Sequence, residues 1–68
     1  MSVVTTEVIV GKLLRRKIIN DLYEMRFMGY DIEWFERKYL LESRILIKGS
    51  ESDINYVKRY FKKLEEDL

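Results

Sequence analysis

The sequence predicts one α+β domain over residues 1–68: a βαββα two-layer sandwich with a three-stranded antiparallel sheet and two helices on one face. Three observations carry that expectation. A β-branched run opens the chain and ends at Gly11. A stretch of 17 residues without Gly or Pro then leads to Gly29 (residues 12–28). From Arg44 to Leu64 a strand pattern, a glycine, a serine and an amphipathic helix pattern follow one another without a gap.

Residues 3–10 are β-branched apart from Glu7, with Val4, Val8 and Val10 on one side and Val3, Thr5 and Ile9 on the other, the period of a strand. Residues 12–28 set Leu14, Ile18, Leu22 and Met25 on one helical face, and Gly29 sits where a C-terminal glycine ends a helix. In residues 30–39, Ile32 and Trp34 alternate with Glu33, Phe35 and Arg37, which predicts a second strand. A third is expected over residues 42–48, with Gly49 as its end. The intervening Leu40, Leu41 and Glu42 lack the Asn-Gly or Asp-Gly signal of a tight turn, so a longer hairpin or a projecting arm is expected there. Ser50 with Asp53 reads as an N-cap and capping-box partner. Ile54, Val57, Phe61, Leu64 and Leu68 then form one apolar helical stripe, with Phe61 expected to be buried at its middle.

A right-handed β-α-β crossover followed by a hairpin and a returning helix is the ferredoxin-like path without its last strand. In that path the third strand lies between the first two, which leaves residues 3–10 as an open edge. The strand–Gly–Ser–helix unit from Ile45 to Phe61 resembles the corresponding unit in small regulatory ferredoxin-like domains, such as ligand-binding modules attached to transporters and amino-acid enzymes. The resemblance covers part of the chain and implies a fold, not an activity.

Composition narrows the chemistry. The chain has no Cys and no His, so thiolate nucleophiles, sulfur-based zinc sites and the commonest general base are all missing. No enzymatic activity, cofactor or metal is expected. A domain of this size buries only about 60% of its unfolded surface, and disulfides cannot help it. Association with a second copy is the remaining support, and an unpaired β-branched first strand is a template for it. We therefore expect a homodimer in which Val4, Thr6 and Val8 belong to the pairing strand.

The net charge of +1 argues against a dedicated non-specific nucleic-acid coat protein. A charged fraction of 37%, balanced in sign, leans towards a thermophilic source. No apolar run or basic leader marks a membrane span or secretory signal, so the expected address is the cytoplasm.

Two surfaces are candidates for contact with a protein partner. Ile19, Tyr23 and Phe27 form a second apolar stripe on the first helix, turned away from the Leu14–Ile18–Leu22 face. On the outer face of the sheet, Phe35, Tyr39 and Leu46 stand among Arg37, Arg44 and Lys48. Together with Lys12, Arg15 and Arg16, those basic residues support the alternative of nucleic-acid binding. The third strand lacks the glycine–aromatic pattern of RNA-recognition sheets, and Lys12 to Lys17 surround their helix rather than share a face. Gly11-Lys12 lacks the further glycines and the Ser or Thr of a phosphate loop. Asp31, Glu33 and Glu36 gather no further ligand in sequence, and Lys58, Arg59, Lys62 and Lys63 ahead of Glu65, Glu66 and Asp67 read as a solvated face with local ion pairs.

Overall fold

The computed structural model describes residues 3–66. They form β1 (Val3–Gly11), α1 (Lys12–Phe27), β2 (Ile32–Lys38), β3 (Glu42–Ser50) and α2 (Glu51–Glu66). β3 is the central strand, antiparallel to β1 on one side and to β2 on the other. β1 and β2 are therefore both edges. Leu68 and Asp67, assigned above to the α2 stripe and the acidic tail, lie outside the described residues. No described helix is long and apolar enough to cross a membrane.

Alternation along the strands sends one set of side chains under the helices. Val10, Ile32, Ile45 and Ile47 from the sheet meet Ile18, Leu22 and Met25 from α1 and Ile54 and Val57 from α2, all buried. Among the described residues every buried side-chain polar atom has a hydrogen-bond partner. Phe61 departs from expectation. It is half-buried, its ring edge-on to Tyr60 at 5.4 Å, while the fully buried positions of α2 are one and two turns earlier. Phe61→Ala therefore removes less than the full burial of a core phenylalanine.

The helix ends show how local chemistry sets the boundaries. Gly29 takes φ +109°, and the Tyr30 N–H donates to the Met25 carbonyl while the Gly29 N–H donates to the Arg26 carbonyl. That pair of bonds is a Schellman cap, and the backbone angle suits glycine because it has no Cβ to clash. At the start of α2, the Asp53 N–H donates to Ser50 Oγ at 3.4 Å, so Ser50 caps as expected. The reciprocal half of the capping box does not form. The Asp53 carboxylate instead accepts from the Asp31 backbone N–H at 3.1 Å, tying α2 to the entry of β2.

Two strand boundaries also differ. β2 begins at Ile32 rather than residue 30, because Tyr30 belongs to the helix cap and stacks on Tyr56 at 4.4 Å. β3 runs through Gly49 to Ser50 instead of ending at Gly49. Gly49 pairs with both Val4 and Ile32, and a Cβ there would stand 2.7 Å from the Asp31 carbonyl oxygen. It marks a close backbone approach within the sheet, a use of strand glycine as general as the strand end.

The β2–β3 connection is tight, not a projecting arm. The Tyr39 N–H donates to the Glu42 carbonyl at 2.8 Å, which leaves Leu40 and Leu41 as the two turn residues. No described residue other than glycine has positive φ, so this turn does without the conformation that Asn-Gly supplies. Leu40 and Leu41 are 82% and 80% exposed, an apolar tip where turns are ordinarily polar.

Candidate functional site

The helices cover one face of the sheet, and the other is bare. Register places its residues in rows. Glu7, Leu46 and Phe35 lie side by side, next to a row of Ile9, Arg44 and Arg37 and a row of Thr5, Lys48 and Glu33. Phe35 directly opposes Leu46, and Ile9 is diagonal to Leu46, so three apolar side chains bridge all three strands. Their exposures of 62%, 41% and 56% leave them open to solvent among the described residues. Tyr39 and the Leu40–Leu41 tip extend this surface past the end of β2.

The basic residues divide among several places. Arg37, Arg44 and Lys48 do share the outer face. Lys48 stands opposite Glu33, and Arg44 Nε donates to Glu42 at 3.1 Å while its guanidinium lies 5.2 Å over the Tyr39 ring. Hydrogen bonding to Glu42 holds the Arg44 guanidinium above its ordinary pKa. Arg37 lies directly across from Arg44, a like-charge pairing that costs stability. Lys12 and Arg16 are exposed on α1, away from this face. On α2, Lys58, Arg59, Lys62 and Lys63 are exposed, but the expected ion pairs with Glu65 and Glu66 do not form among the described residues.

Arg15 has a structural use. It makes a two-pronged contact with Glu36 of β2, its Nη2 donating to Oε1 at 2.6 Å and its Nε to Oε2. The α1 N-terminus has no acidic residue in its first turn and no side-chain cap, so cations there oppose the helix dipole. Glu36 answers that charge from the neighbouring strand. Hydrogen bonding to Arg15 holds the Glu36 carboxyl below its ordinary value of 4.5. A carboxylate with a depressed folded-state pKa stabilises the fold above its unfolded value, and the contribution is lost as pH falls through the depressed one. Glu36→Gln is therefore expected to lower stability near neutrality and to flatten the acid limb of a melting-temperature profile below pH 4.5. Parallel profiles for the two proteins would show that the contact contributes nothing.

The second stripe of α1 divides. Ile19 is half-buried against the core, and Tyr23 meets Trp34 edge-on at 4.9 Å, with Arg26 5.5 Å over the same indole. Tyr23 is thus partly an intramolecular contact. Phe27, at 93% exposure, is the member left to solvent, beside the exposed Met28 that follows the helix. The reason is lateral: β2 is an edge strand, and Trp34 is large enough to reach the helix flank.

At the opposite edge, Val4, Thr6 and Val8 are half-buried and turned towards the helices. They can reach a partner along the strand edge but not across the outer face. Beside that edge is a cleft of about 490 Å³. Its walls are the consecutive residues Thr6–Gly11, the α1 side chains Leu14 and Ile18, and Phe61 and Leu64 of α2, with Lys58, Lys62 and Glu65 on the rim. Six consecutive residues include both faces of a strand, so one wall of the cleft is the backbone edge of β1 itself.

Asp31, Glu33 and Glu36 diverge, on a loop, the outer face and the Arg15 contact. Among the described residues no group of three His, Cys, Asp or Glu side chains is placed to hold a metal ion. Comparison with protein-family models, with curated proteins and with solved structures finds no match to this chain.

Proposed function

We propose that this chain is a small non-enzymatic interaction module that associates with a second copy and carries a protein partner on its bare sheet face. The observation that supports this most is the Ile9–Leu46–Phe35 bridge, extended by Tyr39, Leu40 and Leu41. A two-layer domain that leaves apolar and aromatic side chains in a contiguous row, with arginines beside them, offers the composition of an interface core and its rim. The distribution of charge favours a protein over a polyanion. Arg15 is bound to Glu36, Arg44 to Glu42, and Lys48 faces Glu33, while Lys12 and Arg16 stand apart.

One observation favours nucleic acid as a second reading: Arg37 directly opposite Arg44, with Phe35 and Tyr39 near them on the same face. Two cations held side by side at a cost are relieved by a phosphate. The two readings separate in one experiment. Fluorescence anisotropy with mixed-sequence DNA and RNA at low and moderate salt is expected to show no specific, saturable binding, alongside a dimeric mass by light scattering. A monomer with salt-sensitive nucleic-acid binding would replace the first reading with the second.

A further inference from the structure

The two edges of the sheet are built differently. β2 carries Glu33, Glu36, Arg37 and Lys38 among its seven residues, the charge pattern that discourages strand addition. β1 has nine residues and a single charge, Glu7. Beside β1 alone runs the cleft lined by Val8, Val10, Leu14, Ile18, Phe61 and Leu64. Its volume would suit a small ligand, but such sites hold orienting polar groups. Here the charged lining residues Lys58, Lys62 and Glu65 are exposed, and between them the edge of β1 runs beneath the apolar side chains of Phe61 and Leu64. An added strand satisfies both, its backbone on β1 and its alternate side chains under α2.

We propose that the added strand is β1 of a second copy, paired antiparallel about a two-fold axis at Val8. This rests on the self-association read above and specifies its geometry. A register centred on Glu7 would set that carboxylate against its own copy, a repulsive pair. Centred on Val8, the same strand sets Glu7 against the partner's Ile9 on the outer face. Towards the helices, Val8 meets the partner's Val8 and Thr6 meets the partner's Val10. This register also pairs every cleft-lining residue of Thr6–Gly11, which a centre at Thr6 does not. The helix layers stay on one side, as the two-residue period of strands requires.

The α2 helices then run antiparallel across the axis. Their cleft-lining segment is centred between Phe61 and Lys62, so Lys58 is set towards the partner's Glu65. Opposite charges meet twice by symmetry. The unpaired rim charges of the single chain become complementary, Phe61 and Leu64 lose their remaining exposure, and two three-stranded sheets continue as one.

The chain has no cysteine, so single introduced thiols report on this geometry without background. Opposed Cα atoms in an antiparallel pair fall within disulfide range. Under mild oxidation Val8→Cys is expected to form disulfide-linked dimer several-fold faster than Thr6→Cys or Phe35→Cys, with the uncrosslinked protein dimeric by light scattering. If circular dichroism shows that Val8→Cys is unfolded, an equal mixture of Glu7→Cys and Ile9→Cys reads the same register from the outer face. It is expected to crosslink faster than either protein alone. Fastest crosslinking by Thr6→Cys would overturn the register. A dimer in which Phe35→Cys reacts fastest would overturn the β1 pairing while keeping self-association. A monomeric mass with no preference among the thiols would remove both.

Discussion

Replacing Ile47 by alanine is expected to lower the melting temperature by about 10 °C or more, and to leave much of the chain unfolded at 37 °C. Ile47 is fully buried on the central strand, with Thr6 of β1 opposite on one side and Trp34 of β2 on the other. Isoleucine-to-alanine changes at such positions cost about 2–5 kcal/mol, because the lost transfer energy is joined by a cavity that the surroundings only partly fill. A domain of this length has a total stability of the order of 3–10 kcal/mol. One side chain therefore accounts for a large share of the fold. A thermal melt followed by circular dichroism checks this, and an unchanged midpoint would mean that the sheet's inner face is not the core.

Gly49→Val is expected to be comparably damaging through a different cause. The new Cβ would lie 2.7 Å from the Asp31 carbonyl oxygen and 3.2 Å from Ile32 Cγ2. The first neighbour is backbone, in the segment that the Asp53 carboxylate also holds. Relief requires β2 to move away from β3 at its first residue, and overpacking of this kind costs about 1–3 kcal/mol or more. The contrast with Gly11 is the control. A Cβ at Gly11 meets nothing within 4 Å, so Gly11→Ala is expected to cost only the preference of the α1 N-cap for glycine over alanine, well below the loss at Gly49. Equal losses at the two glycines would show that the contact with the Asp31 carbonyl does not govern the loss at Gly49.

The order of elements and the faces of the strands were legible because alternation and helical spacing are written in single residues. Val4, Val8 and Val10, and Ile45 and Ile47, turn inward as their period demands. What could not be read are facts about pairs distant in sequence. The close approach of Asp31 at Gly49, the diversion of Asp53 from its capping box, and the Arg15–Glu36 contact all join elements whose proximity is a product of the fold. One signal for the last was present: cations at an uncapped helix start need an acid, and the inward position of β2 after Trp34 supplies one. The fate of Tyr23 depended on the reach of Trp34 across a sheet edge, which helical periodicity does not encode. The bare face was foreseen from topology, since two helices on one side of three strands leave the other side open. The apolar turn at Leu40–Leu41 ran against expectation, because it forms without the glycine that tight hairpins favour.

Amide hydrogen exchange tests the proposed pairing of the β1 edge without any substitution. In a lone chain, alternate N–H groups of β1 and of β2 point outward from their edges and exchange at similar, fast rates. At high micromolar concentration the outward amides of Thr5–Gly11 are expected to be protected while those of β2 exchange fast, and dilution is expected to remove the protection from β1 alone. Outward β1 amides that exchange as fast as those of β2 at every concentration would contradict the pairing.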